Sequence, residues 1–386
     1  MTTLLQPANW RQSRWNEWLP AIAAGLIAWI AFLVIGETPL LRASGMALAV
    51  VGMALALRSM GAALSIIGGL ALAFSPSFWI QTGGAESLNP IEVIGALIGV
   101  AVVGFVAIRL GVRPSTGLAL MLVIFEALFL AVIGTPRSLR MNTLLAAWTL
   151  FLLIDGLLIS NPRPDSPPHG TMGLQHSLGL LILLGIGVLN DPMFTLMIPA
   201  IALGLFLTKQ RLSPIYWLIL AGIAVFGVNS LLANYYAYDW WNFTADAAQQ
   251  SGMRHIPFLI GDAWREPFRW IGLSELIVQQ FTWIGLALGV LGLSRLARWH
   301  PAVGVVTMLL YGGYGLFGLS YFGEDRPVLL LPLLMIQIVW MTYAVYTFGQ
   351  WLGKSLRAPD QRAGLLTAAV FTLLPLFMLL RIIGAR

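Results

Sequence analysis

The sequence predicts an all-α integral membrane protein that crosses the bilayer many times, and its composition is the first reason. Hydrophobic residues make up 58% of the 386 positions, and charged residues only 10%. A soluble domain carries about 25% charged residues, because its surface has to face water. A chain this poor in charge cannot cover a globule with polar groups, so lipid must be the solvent for most of its surface.

The second reason is a series of hydrophobic runs, each long enough to cross a hydrocarbon core about 30 Å thick. The runs are continuous and rich in Leu, Ala, Ile and Gly, whereas transmembrane β-strands alternate in hydropathy over about ten residues. They therefore predict helices, about thirteen in all. The predicted spans are 20–36, 43–57, 61–80, 92–110, 116–134, 141–160, 175–190, 192–208, 214–234, 276–296, 302–321, 327–350 and 363–383.

The distribution of Arg and Lys predicts the orientation of these helices. If the N-terminus is cytoplasmic, most of the 22 Arg and Lys residues fall on the inner side, as the positive-inside rule requires. Arg137 and Arg140 are exceptions, because they fall on the outer side with most of the acids. We therefore expect a multi-pass protein of the plasma (inner) membrane with a cytoplasmic N-terminus.

Two loops divide the chain. A Pro- and Ser-rich stretch at 161–174 is predicted to be a cytoplasmic linker between a first helical group, 1–160, and a second, 175–386. The external segment 235–275 mixes Tyr and Trp with Asp, Arg and His. This composition is typical of one or two short amphipathic helices at the membrane interface.

Residue types that hold metals are scarce. The chain has no Cys, which excludes disulfides, thiolate metal sites and cysteine nucleophiles. Its four histidines are scattered, and none shares a helix face with another, so the sequence predicts no metal site and no cofactor. The expected partners are membrane lipids. No basic stretch is interleaved with aromatic residues, so nucleic-acid binding is not expected.

Residues 73–97 carry the most informative pattern. A predicted helix ends in Ser-Pro-x-Phe-Trp-x-Gln, and a loop glutamate and Leu-Asn precede the next helix; the positions are Ser75, Pro76, Phe78, Trp79, Gln81, Glu86, Leu88 and Asn89. The pattern resembles a signature of GT-C-type membrane glycosyltransferases, most closely the protein O-mannosyltransferase-like branch. Segments 184–207 and 319–340 resemble later parts of the same branch, in the same order.

This resemblance implies a GT-C-like fold and transfer of a sugar from a polyprenyl-phosphate donor at the outer membrane face. The chain departs from the family pattern in its first external loop, which is short here, about residues 36–44. That loop offers a single acid, Glu37, where the family carries its catalytic acid. Either Glu37 acts alone, or the catalytic loop has been lost and the protein is a degenerate relative.

Sugar transfer needs a carboxylate for the acceptor and cations for the departing phosphate. The external acids Glu37 and Glu86 are therefore the candidate catalytic residues. The candidates for contact with the substrate or its phosphate are Arg137, Arg140, Asp191, Arg254, His255, Asp325 and Arg326.

Several candidates also have a purely structural explanation. Asp191 followed by Pro192 has the pattern of a helix N-cap with Pro at the first helical position. Glu86 can cap the following helix. Asp325 and Arg326 belong to a charged turn between two helices, and exposed turns are usually charged.

Two acids lie inside predicted spans. Glu126 is near the middle of an apolar span, where an ionisable group is a functional candidate, either a proton relay or a protonated structural residue. Asp155 lies close to the cytoplasmic end of its span and can reach water there.

Three functions remain open at this stage. A transferase predicts a cavity open to lipid, with Glu37 or Glu86 at its external mouth and an Arg within reach. A non-catalytic scaffold or accessory subunit of a larger complex predicts a closed or filled cavity, with other membrane subunits as partners. A transporter predicts a water-accessible path to Glu126.

Overall fold

The structure is a computed structural model. It describes residues 15–83, 138–161, 174–208, 212–235, 263–321, 325–357 and 360–384, with isolated positions at 94, 97–99, 101–102, 104–105, 123–124, 210 and 323. These residues form helices and contain no extended strand. The prediction of an all-α chain is therefore confirmed for the part that the structure describes.

The first half of the bundle consists of paired helices and one broken helix. Its elements are α1 (Trp15–Val34), α2 (Leu40–Ala56), α3 (Ala62–Ala73), α4 (Pro76–Trp79, continued by a 3-10 turn at Ile80–Thr82) and α5 (Leu139–Ser160). Helices α3 and α4 meet at an angle of 62°. The break falls at Ser75, because the following Pro76 lacks a backbone N–H and cannot continue the hydrogen-bond ladder.

The second half continues in the same up-and-down manner. Its elements are α6 (Leu174–Asn190), a 3-10 helix (Pro192–Met197) leading into α7 (Ile198–Leu207), α8 (Pro214–Tyr235), a 3-10 turn (Ala263–Arg265), α9 (Pro267–Trp299), α10 (Pro301–Ser320), α11 (Arg326–Leu329), α12 (Leu331–Ser355), α13 (Asp360–Phe371) and α14 (Leu373–Gly384).

Six described helices are long and apolar enough to cross a membrane, or seven if the bent pair α3–α4 forms one span. Four shorter apolar helices accompany them. The chain therefore has the helices that a multi-pass membrane protein requires. The predicted number of thirteen is not reached among the described residues, and the predicted spans 92–110 and 116–134 lie largely outside them. The predicted span 276–296 lies within the helix Pro267–Trp299, whose backbone is broken at Thr282.

Helix α12 lies at the centre of the bundle. Within its apolar window 83% of the residues are buried, and it packs against α3, α9, α10 and α13. In α8, by contrast, only 17% of the apolar window is buried. Only a narrow face of α8, which includes Tyr216 and Leu220, is buried, and this suits a lipid-facing position, because lipid tails can solvate its other faces.

Helices α9 and α12 approach closely because glycines line their contact. A Cβ atom at Gly289 would collide with the side chain of Gln337, and one at Gly292 would collide with the backbone carbonyl of Trp340. Small residues at this kind of interface allow two backbones to come together in a membrane. The position of α12 thus depends on the absence of a side chain at Gly292.

We expect Gly292→Ala to lower the free energy of unfolding by about 1–3 kcal/mol, as overpacking of a filled core does. The Trp340 carbonyl belongs to the backbone and cannot move aside as a side chain could. Denaturant unfolding in mixed micelles, followed by Trp fluorescence, measures the effect. Gly222→Ala in α8 is the matched control, because its Cβ would meet open space and alanine favours helix. Equal stability of the two variants would contradict this packing.

Candidate functional site at the external helix ends

One end of the bundle holds a dense group of polar contacts between helices. We call it the external end, because the predicted orientation places it outside; its described residues are 35–39, 80–83, 138–143, 190–193, 318–321, 323 and 325–326. A crevice opens there between α5, the 3-10 helix after Asp191, α10 and the α11–α12 turn. It has room for about one water molecule.

Asn142, Thr143 and Tyr314 supply the polar atoms of this crevice, and apolar side chains such as Phe194 and Val328 close it. Thr143 also donates a hydrogen bond to the side-chain carbonyl of Gln81 at 3.0 Å. Segments 184–207 and 319–340 therefore both line the crevice, and segment 73–97 is joined to it through Gln81. Long stretches of sequence separate these three segments, which carry the family resemblance.

Asp191 lies at the external end, directly before the 3-10 helix Pro192–Met197, and is completely buried. Its Oδ1 accepts the backbone N–H of Met193 at 2.9 Å, and its Oδ2 accepts the side-chain amide of Asn142 at 2.7 Å. Pro192 follows at the first helical position. Asp191 is therefore an N-cap, as its sequence pattern suggested, and both of its carboxylate oxygens accept hydrogen bonds.

Two asparagines, which sequence reasoning did not single out, extend this network. The Asn190 side chain donates to the Ser138 carbonyl at 2.8 Å and to the Asn142 side chain at 2.9 Å, and it accepts the Ser138 backbone N–H at 3.0 Å. These bonds connect the start of α5 to the end of α6. No local signal could have identified them, because Asn is common at helix ends.

Arg140 was predicted to contact a phosphate, but in the structure it caps a helix. Its Nε donates to the Gln81 carbonyl at 2.6 Å and its Nη2 to the Gly83 carbonyl at 3.0 Å. Arg42 donates to the same Gly83 carbonyl at 2.8 Å. The last carbonyls of a helix need donors and attract positive charge, so the end of the broken helix α4 accounts for the position of Arg140.

Arg269 donates hydrogen bonds to the carbonyls at the end of α10, as Arg140 does at the end of α4. It is buried, and its guanidinium donates to the carbonyls of Leu319 at 2.6 Å and Tyr321 at 2.5 Å. The Tyr321 hydroxyl in turn donates to the carboxylate of Asp325 at 2.6 Å. Asp325, predicted as a substrate contact, is thus part of the turn that holds Arg269.

Arg326, unlike Arg140 and Arg269, has guanidinium N–H groups without acceptors. Its Nε and Nη2 atoms are buried and have no hydrogen-bond partner among the described residues. Its Nη1 lies 4.0 Å from the position that a Cβ of Gly272 would occupy. Burial lowers the pKa of the Arg326 guanidinium from its ordinary value, and the positive charge of Arg269 lowers it further.

Buried guanidinium N–H groups without an acceptor, such as those at Nε and Nη2 of the half-buried Arg326, are destabilising, because they have lost water without gaining an acceptor. An anion beside Arg326 and Arg269 would supply the missing acceptor and the missing negative charge. Phosphate fits this need, since its oxygens match two parallel N–H groups of arginine.

Glu37 lies in the turn between α1 and α2, is exposed, and has a positive φ of 49°. Of the two candidate catalytic acids it is the one that the structure describes. The other predicted site residues lie outside the described residues, and their roles stay predictions: Glu86, Arg137, Arg254, His255 and Glu126.

A charged cluster that sequence reasoning missed lies at the opposite end of the bundle. Asp155 accepts a hydrogen bond from Arg58 Nη2 at 2.7 Å, and its other oxygen lies 3.1 Å from His176 Nε2. The sequence placed Asp155 near water but gave it no partner. Its partners come from distant segments, so only the fold brings them together.

The described helices are all-α and include six that could cross a membrane, as a multi-pass membrane protein requires, and polar side chains cluster at both ends of the bundle. Among the described residues, no group of three or more His, Asp or Glu side chains could hold a metal ion. No protein-family model, no curated protein and no solved structure matches the chain.

Proposed function

We propose that this protein binds a polyprenyl-phosphate sugar at its external end and, as a GT-C-like transferase, passes the sugar to an acceptor. The observation that carries the proposal is Arg326, with two buried guanidinium N–H groups that lack acceptors. Next to Arg269 it supplies two positive charges, which suit the charge of a departing phosphate.

In this proposal each residue has one role. Arg326 donates hydrogen bonds to the phosphate, and Arg269 holds the α10 end and adds positive potential. Glu37 accepts the proton of the acceptor hydroxyl. The acceptor oxygen then forms a bond to the sugar carbon while the bond from that carbon to the phosphate oxygen breaks. Polyprenyl phosphate leaves with the electron pair.

The test has a binding arm and a transfer arm. The purified protein in nanodiscs is titrated with polyprenyl phosphate, and with polyprenol as the uncharged control. We expect saturable binding of the phosphate alone. Equal binding of polyprenol, or no binding, would remove the proposal.

In the transfer arm, we expect Glu37→Gln to lower the rate of sugar release about 10²–10⁴-fold, which is the usual contribution of a general base. Binding of polyprenyl phosphate should not change. Glu275→Gln is the control, because Glu275 is another exposed acid with no part in the proposal. Full activity of Glu37→Gln would exclude this residue from the chemistry.

The second candidate is a non-catalytic subunit of GT-C-like architecture, and a specific observation favours it. Asp191, Arg140 and Asp325 all bond to protein groups, and the crevice is too narrow for a lipid tail. Purification from native membranes distinguishes the two. A stable set of partner subunits, together with no sugar release by the lone protein, would support this candidate.

A further inference from the structure

Helix α9 is two helices joined at Thr282. The φ of this residue is 64° and its ψ is 174°, values that are not helical. A positive φ is uncommon for a β-branched residue and strains the backbone, so surrounding contacts have to hold it. Thr282 separates a first half, residues 267–281, from a second half, residues 283–299.

The first half of α9 borders the proposed phosphate site. Arg269 lies in its first turn, and a Cβ atom at Gly272 would lie 4.0 Å from Nη1 of Arg326. The position of this half-helix therefore sets how the guanidinium groups of Arg269 and Arg326 stand relative to each other.

The other end of the first half is bonded to the second broken helix of the bundle. Gln280 is buried, and its side-chain carbonyl accepts the backbone N–H of Ser77 at 3.0 Å. Ser77 is the second residue of α4, so its N–H has no partner within that helix. Ser75, which precedes α4, makes no cap bond to it, and its hydroxyl donates instead to the carbonyl of Leu72 in α3. Gln280 thus caps α4 in place of Ser75.

The breaks of the two helices therefore lie next to each other. Gln280 comes two residues before the break at Thr282, and Ser77 comes two residues after the bend at Ser75. Helix α4 also packs against α11, the short helix that begins with Arg326. Gln280 consequently joins the half-helix that carries Arg269 to the helix on which α11 packs.

A second bond holds the same end of the first half. The last carbonyls of a helix have no partner within it, and the break makes Gln279 one of the last residues of this half. Its carbonyl accepts a hydrogen bond from Nη1 of Arg381 in α14 at 3.0 Å. A cation suits this place, because the C-terminal end of a helix carries partial negative charge.

We infer, on the basis of the proposed function, that Gln280 and Arg381 are positioning residues of the phosphate site. They fix the end of the first half of α9 and thereby hold Arg269 beside Arg326. Each of them acts through the backbone that it bonds rather than on the phosphate itself.

The binding test compares two buried glutamines. Gln280→Met keeps the length of the side chain and removes the acceptor, so we expect it to weaken binding of polyprenyl phosphate in nanodiscs about two- to tenfold, the factor that corresponds to one hydrogen bond. Gln280→Glu keeps a carbonyl acceptor and should restore the affinity. Gln337→Met is the matched control, because Gln337 is also buried but donates to the Gly285 carbonyl in the second half. It should leave the affinity unchanged.

A spin-label distance tests the position of the first half without the lipid. The chain has no Cys, so labels at Ile271→Cys in the first half and at Leu40→Cys at the start of α2 mark two exposed positions. We expect the distance distribution to shift or broaden in Gln280→Met and in Arg381→Met, and to stay as in the native background in Gln337→Met.

Arg381 is exposed, so Arg381→Met leaves the core packed and gives a decisive result even if Gln280→Met does not fold. A native distance distribution and native affinity in these variants would overturn the inference, as would equal effects of Gln280→Met and Gln337→Met. If the native protein bound no polyprenyl phosphate but the distances still changed, the proposed function would fail while the positioning of the first half would stand.

Discussion

Replacing Arg326 by alanine is expected to weaken binding of polyprenyl phosphate about ten- to a hundredfold. Hydrogen bonds to a charged group contribute about 1.5–3 kcal/mol, and every 1.4 kcal/mol is about a factor of ten in affinity. The two buried N–H groups of Arg326 are the donors that would be lost. Titration of nanodisc-embedded protein with the lipid measures the change.

Two further variants separate this effect from a general change in charge. Arg326→Lys keeps the charge but loses the planar fork, so it should bind more weakly than the native protein and more tightly than Arg326→Ala. Arg295→Ala removes an exposed arginine from the opposite end of α9 and should leave affinity unchanged. If Arg326→Ala bound the lipid as tightly as the native protein, the phosphate would have to lie elsewhere.

We do not expect Arg326→Ala to lower the free energy of unfolding. Without ligand, Arg326→Ala removes a half-buried charge with two buried N–H groups that lack acceptors, so its stability should equal or exceed that of the native protein. Binding residues are often kept at such a cost. A large loss of stability would instead mean that the guanidinium has a structural role.

Asp191→Ala is expected to have the largest effect on stability, a loss of about 2–4 kcal/mol. The substitution removes an N-cap and leaves the Met193 N–H and the Asn142 amide without their acceptors in a buried place. Because Asn142 also bonds to Asn190, the junction of α5 with α6 should loosen as well. Denaturant unfolding in mixed micelles measures the loss.

Asp191→Asn is the matched control for this effect. Asparagine is as good an N-cap as aspartate, so the bond from Met193 should persist and the loss should be smaller than for alanine. Unchanged stability of Asp191→Ala, combined with lost lipid binding, would contradict the capping role and would make Asp191 a ligand-contacting residue.

Much of the fold could be predicted because it depends on local properties. Hydropathy located the described spans, and Pro192 marked a helix start, whereas the break before Pro76 falls inside the single predicted span 61–80. The cap at Asp191 also depends on neighbours in sequence. These features need only hydrophobicity, the missing N–H of proline and the reach of a short side chain, all of which are visible in a few residues.

The roles of the arginines could not be predicted, because their partners are distant in sequence. Arg140 bonds to carbonyls at Gln81 and Gly83, and nothing in the sequence around Arg140 indicates that a helix ends beside it. Thr282 likewise breaks α9 without a proline or glycine at the break. The hydropathy of α9 continues through Thr282, which is why the predicted span 276–296 runs across the break.

A cryo-electron-microscopy map of the protein in nanodiscs with polyprenyl phosphate, and with a bound antibody fragment to add mass, tests the central claim most directly. The account predicts phosphate density within hydrogen-bonding distance of the Arg326 guanidinium, at the level of Gly272. Phosphate density at the opposite end of the bundle, near Arg58 and Asp155, or no ordered phosphate under saturating lipid, would contradict it.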